Sequence, residues 1–266
     1  MGAAAPTSLK FDFIAIVIMN DSRQLLPEQI HVERTYRRRQ TMSQPIYIMK
    51  RVCRPRHEAQ TWKFAIFGGM HGDEEAGILA SHELAEWALS LPEELRDFEL
   101  HIYPVCNPSG RMAGTRHCMS GHDLNREFWI GSALPEVAFL EGELRREKYD
   151  GIISLHTDDE AVGVYGYVSG ALLSQQVLEP ALEAAGRIIP RNPSPYIDGF
   201  AAERGIIKDG YFGVLSSPPE QRPRALEIVF ETPDFVRMEL QVQASVVAVK
   251  TILAEYRQLQ AFAANL

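Results

Sequence analysis

The chain has 266 residues, of which 45% are hydrophobic, and its 27 basic and 35 acidic side chains give a net charge of −8. This length suits one α/β domain with a sizeable core, so we expect residues 1–266 to form a single domain. The acidic balance argues against a general nucleic-acid binder, which needs a basic face. The stretch RTYRRRQ at 34–40 is the exception, and we interpret it as a solvated patch, with a partner site as the alternative.

Cysteine use and hydropathy indicate a cytoplasmic protein. Cys53, Cys106 and Cys118 are too few and too widely spaced for a disulfide framework, which favours a reducing compartment. No apolar run approaches the ~20 residues that a membrane-spanning helix needs. The N-terminal run FIAIVIM lacks a preceding basic region and a following cleavage site. It therefore predicts a first strand rather than a signal peptide, and a periplasmic protein is the alternative.

The predicted elements alternate between strands and helices along the chain, which indicates an α/β domain. A polar loop is expected at 107–130, and Pro180 is expected to bend or split its helix. After the first strand, strands are predicted at 45–52, 63–69, 98–108, 151–156 and 224–232, and helices at 74–91, 135–149, 174–187 and 240–262.

Polar clusters follow the carboxyl ends of three predicted strands, at 71–75, 156–159 and 231–234. In open α/β sheets the ligand crevice lies outside those ends, so these segments should meet in space. His71, Glu74 and His156 would then supply two imidazoles and a carboxylate, which is the ligand set of an open, catalytic zinc site. For His71 and Glu74 alone, the alternative is a capping histidine and a helix-dipole glutamate.

Six short motifs in order carry a resemblance to a known family. They are HGDE, NPSG, TRH, DLNREF, SLH and FET, and they extend from about residue 60 to about residue 235. In this order the chain resembles the zinc metallocarboxypeptidases and the related aspartoacylase and succinylglutamate desuccinylase amidohydrolases. The resemblance implies a single zinc-hydrolase domain with a three-layer α/β/α fold and a mixed, largely parallel twisted sheet.

The resemblance also implies a role for each matching residue. One Zn²⁺ ion would be bound by His71, Glu74 and His156. Glu231 matches the general base that activates the zinc-bound water, and Arg116 matches the arginine that stabilises the oxyanion, with Arg111 as the alternative. The substrate-binding positions are Asn125 and Arg126, which would bind a free carboxylate, and Tyr211, which would close over the substrate, with Tyr196 as a competitor.

These roles agree with elementary chemistry. Zinc polarises a carbonyl and lowers the pKa of bound water toward ~7. A nearby carboxylate such as Glu231 can take a proton and pass it to the leaving amine. The planar guanidinium of Arg126 suits a carboxylate, and Arg116 would stabilise charge that develops in the transition state. Asp158 and Asp159 could orient His156 or bind a second metal, although a solvated turn is the simpler interpretation.

The function predicted from these residues is hydrolysis of an amide bond next to a terminal carboxylate. A metallocarboxypeptidase acting on small peptides is the first choice, because a predicted helix after FETPD takes the place of the C-terminal β domain usual in aspartoacylase-type enzymes. An N-acyl amino acid amidohydrolase is the runner-up, and a catalytically inactive binding protein is a third possibility. Ser216 and Ser217 lie where pocket residues are expected, which would suit small or acidic substrate groups.

Overall fold

The structure is a computed structural model that describes residues 13–18, 46–55, 61–90 and 92–263. The arginine-rich stretch at 34–40 lies outside these described residues. The described strands are β1 Phe13–Ile18, β2 Ile46–Cys53, β3 Trp62–Phe67, β4 Phe98–Tyr103, β5 Gly151–Asp158, β6 Tyr165–Gly170, β7 Tyr196–Ile197, β8 Phe200–Glu203, β9 Ile206–Ile207 and β10 Leu226–Pro233.

Five α-helices connect these strands. Across the described residues, no helix combines the length and the apolar character that crossing a membrane requires. Short 3-10 helices occupy Pro92–Leu95 and Leu124–Arg126. The α-helices are α1 Glu75–Ser90, α2 Pro108–Ala113, α3 Pro135–Glu147, α4 Leu173–Ala185 and α5 Met238–Ala263.

The strands form one mixed sheet in the order β1-β2-β4-β3-β5-β10-β6-β9-β8-β7. Its centre is parallel, because β4, β3, β5 and β10 run in the same direction as neighbours. Antiparallel pairs flank this centre, with β2 against β4 on one side and β6 against β10 on the other. The predicted mixed α/β sheet is thus confirmed, and its parallel pairing is concentrated where the strand-end motifs lie.

Helices cover both faces of the sheet, as β3 illustrates. Phe64 and Ile66 pack into a core shared with α1, α4 and α5, whereas Ala65 and Phe67 pack into a second core shared with α3. Successive strand side chains point to opposite faces, so a strand covered on both faces must be apolar throughout. This explains the continuous apolar run FAIF at residues 64–67.

Three local features differ from the sequence-based expectations. The polar loop at 107–130 contains α2, which begins at Pro108 after the N-cap Asn107. Helix α4 runs continuously through Pro180 rather than being split. Strands β6 to β9 had no counterpart among the predicted elements. Three of them, β7, β8 and β9, are four residues long or shorter, and a period-2 pattern is not recognisable over so few residues.

Candidate metal centre and active site

The proposed ligand and base residues lie together at the carboxyl ends of β3, β5 and β10. His71 follows the turn after β3, His156 lies in β5, and Glu231 lies in β10. Glu231 and His156 are paired in register between the two parallel strands. Parallel pairing therefore brings together three segments that are distant in sequence, at the edge where open α/β sheets bind ligands.

The two imidazoles and the Glu74 carboxylate converge on one point. His71 Nδ1 lies 2.5 Å from Glu74 Oε1, and His156 Nδ1 lies 3.0 Å from Glu74 Oε2. The two Nδ1 atoms are 3.3 Å apart. All three side chains are buried. One potential ligand atom from each residue therefore faces the same small volume, within 4.8 Å of the other two.

Outer partners hold both imidazoles in this orientation. His71 Nε2 is 3.1 Å from Asp123 Oδ1, and a carboxylate can only accept, so this nitrogen carries the proton. His156 Nε2 is 2.8 Å from the hydroxyl of Ser154. With each Nε2 engaged, the Nδ1 atoms remain directed at Glu74. Such outer hydrogen bonds fix the ring and tautomer of metal-binding histidines.

The position of Glu74 depends on how closely α1 approaches β5. Gly77 lies in the first turn of α1, and a Cβ added there would be 2.7 Å from the carbonyl oxygen of Leu155. That distance is too short for any side chain, so only glycine permits this packing. Leu155 precedes His156, and the close approach therefore sets Glu74 beside His156.

Burial and mutual charge shift the three ionisation equilibria. Burial alone would raise the pKa of Glu74, but the charge of His156 and hydrogen bonds from both imidazoles lower it to about 2. Burial opposes protonation of His71, yet its bonds to Asp123 and Glu74 raise its pKa. Burial lowers the pKa of His156, against the attraction of Glu74. The carboxylate is thus ionised and His156 favours the neutral form, as metal ligands require.

The donor set fits a divalent cation. A tetrahedral ion bound at about 2.0–2.1 Å separates its ligand atoms by roughly 3.3 Å, which the two Nδ1 atoms match at 3.3 Å. Apart from its 3.0 Å contact with His156 Nδ1, the buried Glu74 Oε2 has no hydrogen-bond partner in the described residues. Buried polar atoms are normally satisfied, so this oxygen lacks the kind of partner that a cation would supply.

Glu231 lies beside this centre with a carboxylate that resists ionisation. Burial raises its pKa well above the ordinary range, and the charges of Glu74 and Asp158 raise it further, against the charge of Arg116. A carboxyl group with a raised pKa next to a cation site is suited to accept and return a proton.

Asp123 links Arg116 to the centre. Its Oδ2 accepts from Arg116 Nε at 3.3 Å and Nη2 at 3.1 Å, while Oδ1 contacts His71. Burial opposes ionisation of Asp123, but His71 and Arg116 outweigh it and hold its pKa well below the usual range. Arg116 Nη1 also lies 3.6 Å from Glu74 Oε1. Arg111, the alternative, instead forms an exposed ion pair with Glu75.

Asn107 explains why the NPSG motif lies near Arg116. Its Oδ1 accepts from the backbone N–H of Gly110 and caps α2, while its Nδ2 donates to the carbonyl of Arg116 at 3.1 Å. The asparagine therefore joins a helix N-cap to the backbone of the arginine segment. The motif supports the site without contacting the convergent ligand atoms.

Asn125 and Arg126 occupy the short 3-10 helix beside the cavity. Asn125 is buried, and its Oδ1 accepts from the backbone N–H of Leu215 at 2.9 Å. This bond leaves the amide N–H₂ group available for donation. The Arg126 guanidinium carbon lies 3.9 Å from the ring centroid of Tyr211. Stacking uses the face of a guanidinium and leaves its N–H edge for a carboxylate.

A hairpin tip holds Tyr211 over Arg126. The Tyr211 hydroxyl donates to Asp198 Oδ1 at 2.9 Å, and the Tyr167 hydroxyl donates to Asp198 Oδ2 at 2.7 Å. The Phe200 ring packs edge-on against Tyr211. Asp198 adopts a positive φ of 49° between β7 and β8, a conformation that aspartate tolerates. The competing Tyr196 is 71% exposed, although it also lines the cavity.

Residues 60–190 match the family model described as "Succinylglutamate desuccinylase/Aspartoacylase catalytic domain". The matched range includes all three convergent side chains and the segment from Arg116 to Arg126. This part of the chain, just under half of its length, is similar to the catalytic domain of that family. Glu231 and Tyr211 lie beyond the matched range of the catalytic domain, so their assignment depends on strand register and contacts. No curated protein matches the chain.

Solved structures share the fold of this chain. A proposed metallopeptidase from Shewanella denitrificans OS217 aligns with a TM-score of 0.64 at 23% identity, covering 79% of each chain. A metallo-carboxypeptidase from Burkholderia cenocepacia gives 0.62 at 19% identity, covering 81% of this chain and 62% of that one. A metallo-carboxypeptidase from Pseudomonas aeruginosa, in complex with (2-guanidinoethylmercapto)succinic acid, gives 0.62 at 18% identity with the same coverage.

These likenesses confirm the metallocarboxypeptidase-like α/β fold. The chain spans less than two thirds of the length of the two metallo-carboxypeptidases. Together, the family match and the fold support a hydrolase with a metal site.

Several residues around the candidate site were not predicted from the sequence. Asp123 lies in the DLNREF motif, two residues before Asn125, and that position was a usable signal. Ser154 could have been found two residues before His156, on the same face of β5. No sequence pattern singled out Asp198 or Tyr167. Asp158, considered as a partner of His156, instead accepts from Tyr165 and from the backbone N–H of Glu160.

Proposed function

We propose that this chain is a zinc-dependent hydrolase that cleaves an amide bond adjacent to a free carboxylate. The observation that carries the proposal is the convergence of His71, Glu74 and His156 beside Glu231. A metallocarboxypeptidase that releases one C-terminal residue is the first candidate. The described elements share one sheet, which supports treating the chain as a single zinc-hydrolase domain.

His71, Glu74 and His156 would hold the single zinc ion. Bound there, zinc would supply Lewis-acid polarisation of the scissile carbonyl and lower the pKa of a water molecule. Asp123 and Ser154 keep the two imidazoles aimed at the ion. Two nitrogen ligands and one carboxylate, with room for a further ligand, are typical of catalytic rather than structural zinc sites.

The remaining residues act on the substrate. Arg126 and the free amide of Asn125 bind its terminal carboxylate, which sets the register of the bond to be cleaved. Glu231 takes a proton from the attacking water and returns it to the leaving amine as the C–N bond breaks. Arg116 donates to the developing oxyanion, where an interaction made in the transition state raises the rate.

The cavity and the fold both support a peptide-sized substrate. The cavity has a volume of about 1000 Å³ and contacts the side chains named above. Its volume is at the upper end of the usual range for small-molecule sites, which leaves room for a residue on each side of the scissile bond. The Pseudomonas aeruginosa protein binds a succinic acid derivative, which is consistent with carboxylate recognition by this fold.

A second candidate is an N-acyl amino acid amidohydrolase. The specific observation in its favour is the family model, which is the desuccinylase and aspartoacylase catalytic domain. Both chemistries use the same metal, base and carboxylate site. We place the enzyme in the cytoplasm, a proposal supported by the three cysteines, which are all free and buried.

Product analysis by mass spectrometry tests the proposal. The zinc-loaded protein is incubated with free-acid peptides, their C-terminal amides and short N-acyl amino acids. Loss of single C-terminal residues from the free acids alone would support the carboxypeptidase. Cleavage of N-acyl amino acids alone would favour the amidohydrolase. Cleavage of the amides at an equal rate would contradict the role of Arg126, and no turnover with zinc bound would favour a binding protein.

A further inference from the structure

The cavity extends from the level of Glu231, the proposed base, along one face of the sheet to the buried Glu227. Glu227, Val229 and Glu231 alternate along β10 and therefore share a face. Their register partners on β6 are Ser169, Tyr167 and Tyr165, in that order. Glu227, Val229 and Glu231 line the same cavity, together with those three β6 residues. The proposed base and Glu227 thus lie at two levels of one cavity.

The walls between these two levels are largely apolar. Val229 and Tyr167 form the middle row of the sheet face, and Val214 and Leu215 line the cavity from the loop before β10. Four residues of a strand span about 13 Å, a distance that a long substrate side chain and the side chain of Glu227 would have to bridge together. A small substrate group held near Glu231 would leave most of this length unfilled.

Glu227 is fixed at the floor by hydroxyl and amide donors. Its carboxylate is buried, with Oε1 accepting from both the backbone N–H and the hydroxyl of Ser217. Oε2 accepts from the hydroxyl of Ser169. Neutral donors of this kind hold the carboxylate in one orientation. An ionised carboxyl group offers about four acceptor positions, so Oε2 retains capacity for another donor.

Among the described residues, only one protein cation lies close to the Glu227 carboxylate, and that residue does not line the cavity. Arg224 Nη2 is 3.5 Å from Oε1, beyond hydrogen-bond reach, and its side chain is 42% exposed. Arg224 does not line the cavity, whereas Glu227 does. From within the cavity, the floor therefore presents an anionic oxygen at the end of an apolar wall.

We propose that Glu227 selects substrates whose carboxylate-bearing residue has a long cationic side chain, of the lysine or arginine type. The aliphatic stem would pack on Val229 and Tyr167, and the ammonium or guanidinium group would donate to Glu227 Oε2. This inference rests on the proposed function, because Arg126 must hold the carboxylate of the same residue. It replaces the expectation of small or acidic groups, since Ser217 is used to hold Glu227.

The test compares matched substrates on the zinc-loaded protein. The substrates are N-blocked dipeptides and Nα-acetyl amino acids that end in lysine, arginine, leucine or glutamate. We expect kcat/KM for the cationic series to exceed that for leucine by about tenfold or more, as for a buried charge pair. Glu227→Gln should reduce that ratio to near one while leucine turnover remains. Glu160→Gln, a matched charge removal at an exposed cavity residue, should leave the ratio unchanged.

Two further measurements separate selectivity from folding and from activity. Glu227→Asp keeps the charge and should retain part of the preference if Glu227→Gln is poorly folded. Calorimetry with free lysine and norleucine, which differ at the terminal group, reports binding without turnover. Lysine should bind the wild type more tightly, and the difference should vanish in Glu227→Gln.

Equal binding of lysine and norleucine, or equal turnover of the lysine and leucine substrates, would overturn the inference. A wild type that prefers lysine in binding yet hydrolyses nothing would instead contradict the proposed function.

Discussion

Two clusters of buried polar side chains occupy different parts of this protein, and they are satisfied in different ways. The first, the Lys50 cluster, lies between β2, β4 and α3. The second, the metal cluster, consists of His71, Glu74 and His156. The Lys50 cluster comprises Lys50, Lys63, Glu99, His101, Tyr103, Glu143, Arg146, Glu147 and Tyr149.

In the Lys50 cluster, protein cations match the carboxylates. The Lys50 ammonium is 3.0 Å from Glu143 and 2.8 Å from Glu147, and Lys63 adds a third contact at 2.9 Å from Glu147. Burial opposes ionisation of Glu147, but bonds from Lys50 and Lys63 hold its pKa well below the usual range. The protein itself completes this cluster, which therefore requires no ligand.

In the metal cluster, potential metal-ligand atoms of His71, Glu74 and His156 face one another. Two imidazole nitrogens lie 3.3 Å apart, and among the described residues the buried Glu74 Oε2 contacts only one of them, His156 Nδ1 at 3.0 Å. Nearby Glu231 has no bonded cation among the described residues and a pKa raised by burial. A buried cluster whose positive and negative charges balance has a structural role. A buried cluster in which several lone pairs point at one another instead indicates a binding site for a cation.

Glu231→Gln should produce the largest effect. The amide cannot accept the proton from water, so kcat should fall by about 10²–10⁴-fold. Zinc content, measured by mass spectrometry of the metal, should remain at one equivalent, because Glu231 is outside the ligand set. A variant that retains wild-type turnover would show that the base is another residue.

Lys50→Met should act on stability alone. Removing one partner of a buried ion pair leaves uncompensated charge and costs about 3–5 kcal/mol. Urea unfolding should show this loss while zinc content and kcat stay unchanged. Lys63→Met is the matched control, since its side chain is 30% exposed and should cost about 1 kcal/mol or less. Equal losses in the two variants would contradict the claim that burial matters.

His101 should make the stability of the Lys50 cluster depend on pH. Burial and the charge of Lys50 lower its folded pKa to about 4, from the ordinary value of 6.5 for histidine. The neutral form is favoured on folding, so its contribution is complete above pH 6.5 and is lost as pH falls toward 4. The contribution is at most about 3 kcal/mol.

The sign of this effect can be measured directly. The free energy of unfolding of the wild type should fall more steeply than that of His101→Gln between pH 7 and pH 4. Nε2 of His101 donates to Glu99 and Nδ1 contacts the hydroxyl of Tyr149, and glutamine can keep one of these bonds. Parallel curves for the two proteins would mean that His101 does not titrate in this window.

His71→Ala should abolish zinc binding, whereas the Lys50 variant should keep it. The His71 variant should lose zinc, and with it the rise in unfolding free energy that zinc gives the wild type. That rise is about 2.7 kcal/mol when free zinc is 100 times its dissociation constant. Thermal unfolding with and without a chelator measures it. Retention of a full zinc equivalent by His71→Ala would refute the ligand set, and Lys50→Met should respond to zinc as the wild type does.

The meeting of His71, His156 and Glu231 could be predicted from the sequence, whereas the Lys50 cluster could not, for a physical reason. His71, His156 and Glu231 end strands, and strand ends meet at one edge of a parallel sheet whatever the details of packing. Lys50 was part of an alternating strand pattern, but the buried face is that of Ile48, Lys50 and Val52, while Tyr47 and Met49 are exposed. Alternation defines two faces without specifying which is buried.

Of the residues that support the site side chains, some could be inferred from sequence motifs and others could not. Asp123 is close in sequence to Asn125, so its role could be inferred from the motif that contains both. Asp198 is a tertiary partner, since the tip between β7 and β8 reaches Tyr211 only after both segments have packed beside β6. No local pattern encodes such a contact. Glu227, which lines the cavity four residues before Glu231 on β10, looked like an ordinary polar residue of a strand.

Asp198→Ala should produce the smallest effect, and it tests whether Tyr211 belongs to the substrate site. Loss of a hydrogen bond to Tyr211 costs about 0.5–1.5 kcal/mol, so KM for free-acid substrates should rise about threefold to tenfold. The effect on kcat should be smaller, because Tyr211 contacts Arg126 rather than the convergent ligand atoms. Asp198→Asn keeps an acceptor and tolerates the positive φ, so it should restore most of the affinity.

Non-additivity distinguishes positioning from a general structural role. If Asp198 acts through the Tyr211 hydroxyl, the double variant of Asp198→Ala and Tyr211→Phe should raise KM little more than the larger single change. Asp209→Ala, at an exposed residue of the same cavity, is the control for lost charge and should leave KM unchanged. Fully additive effects would mean that Asp198 supports the hairpin alone. Tyr211 would then stack on Arg126 without its hydroxyl being needed.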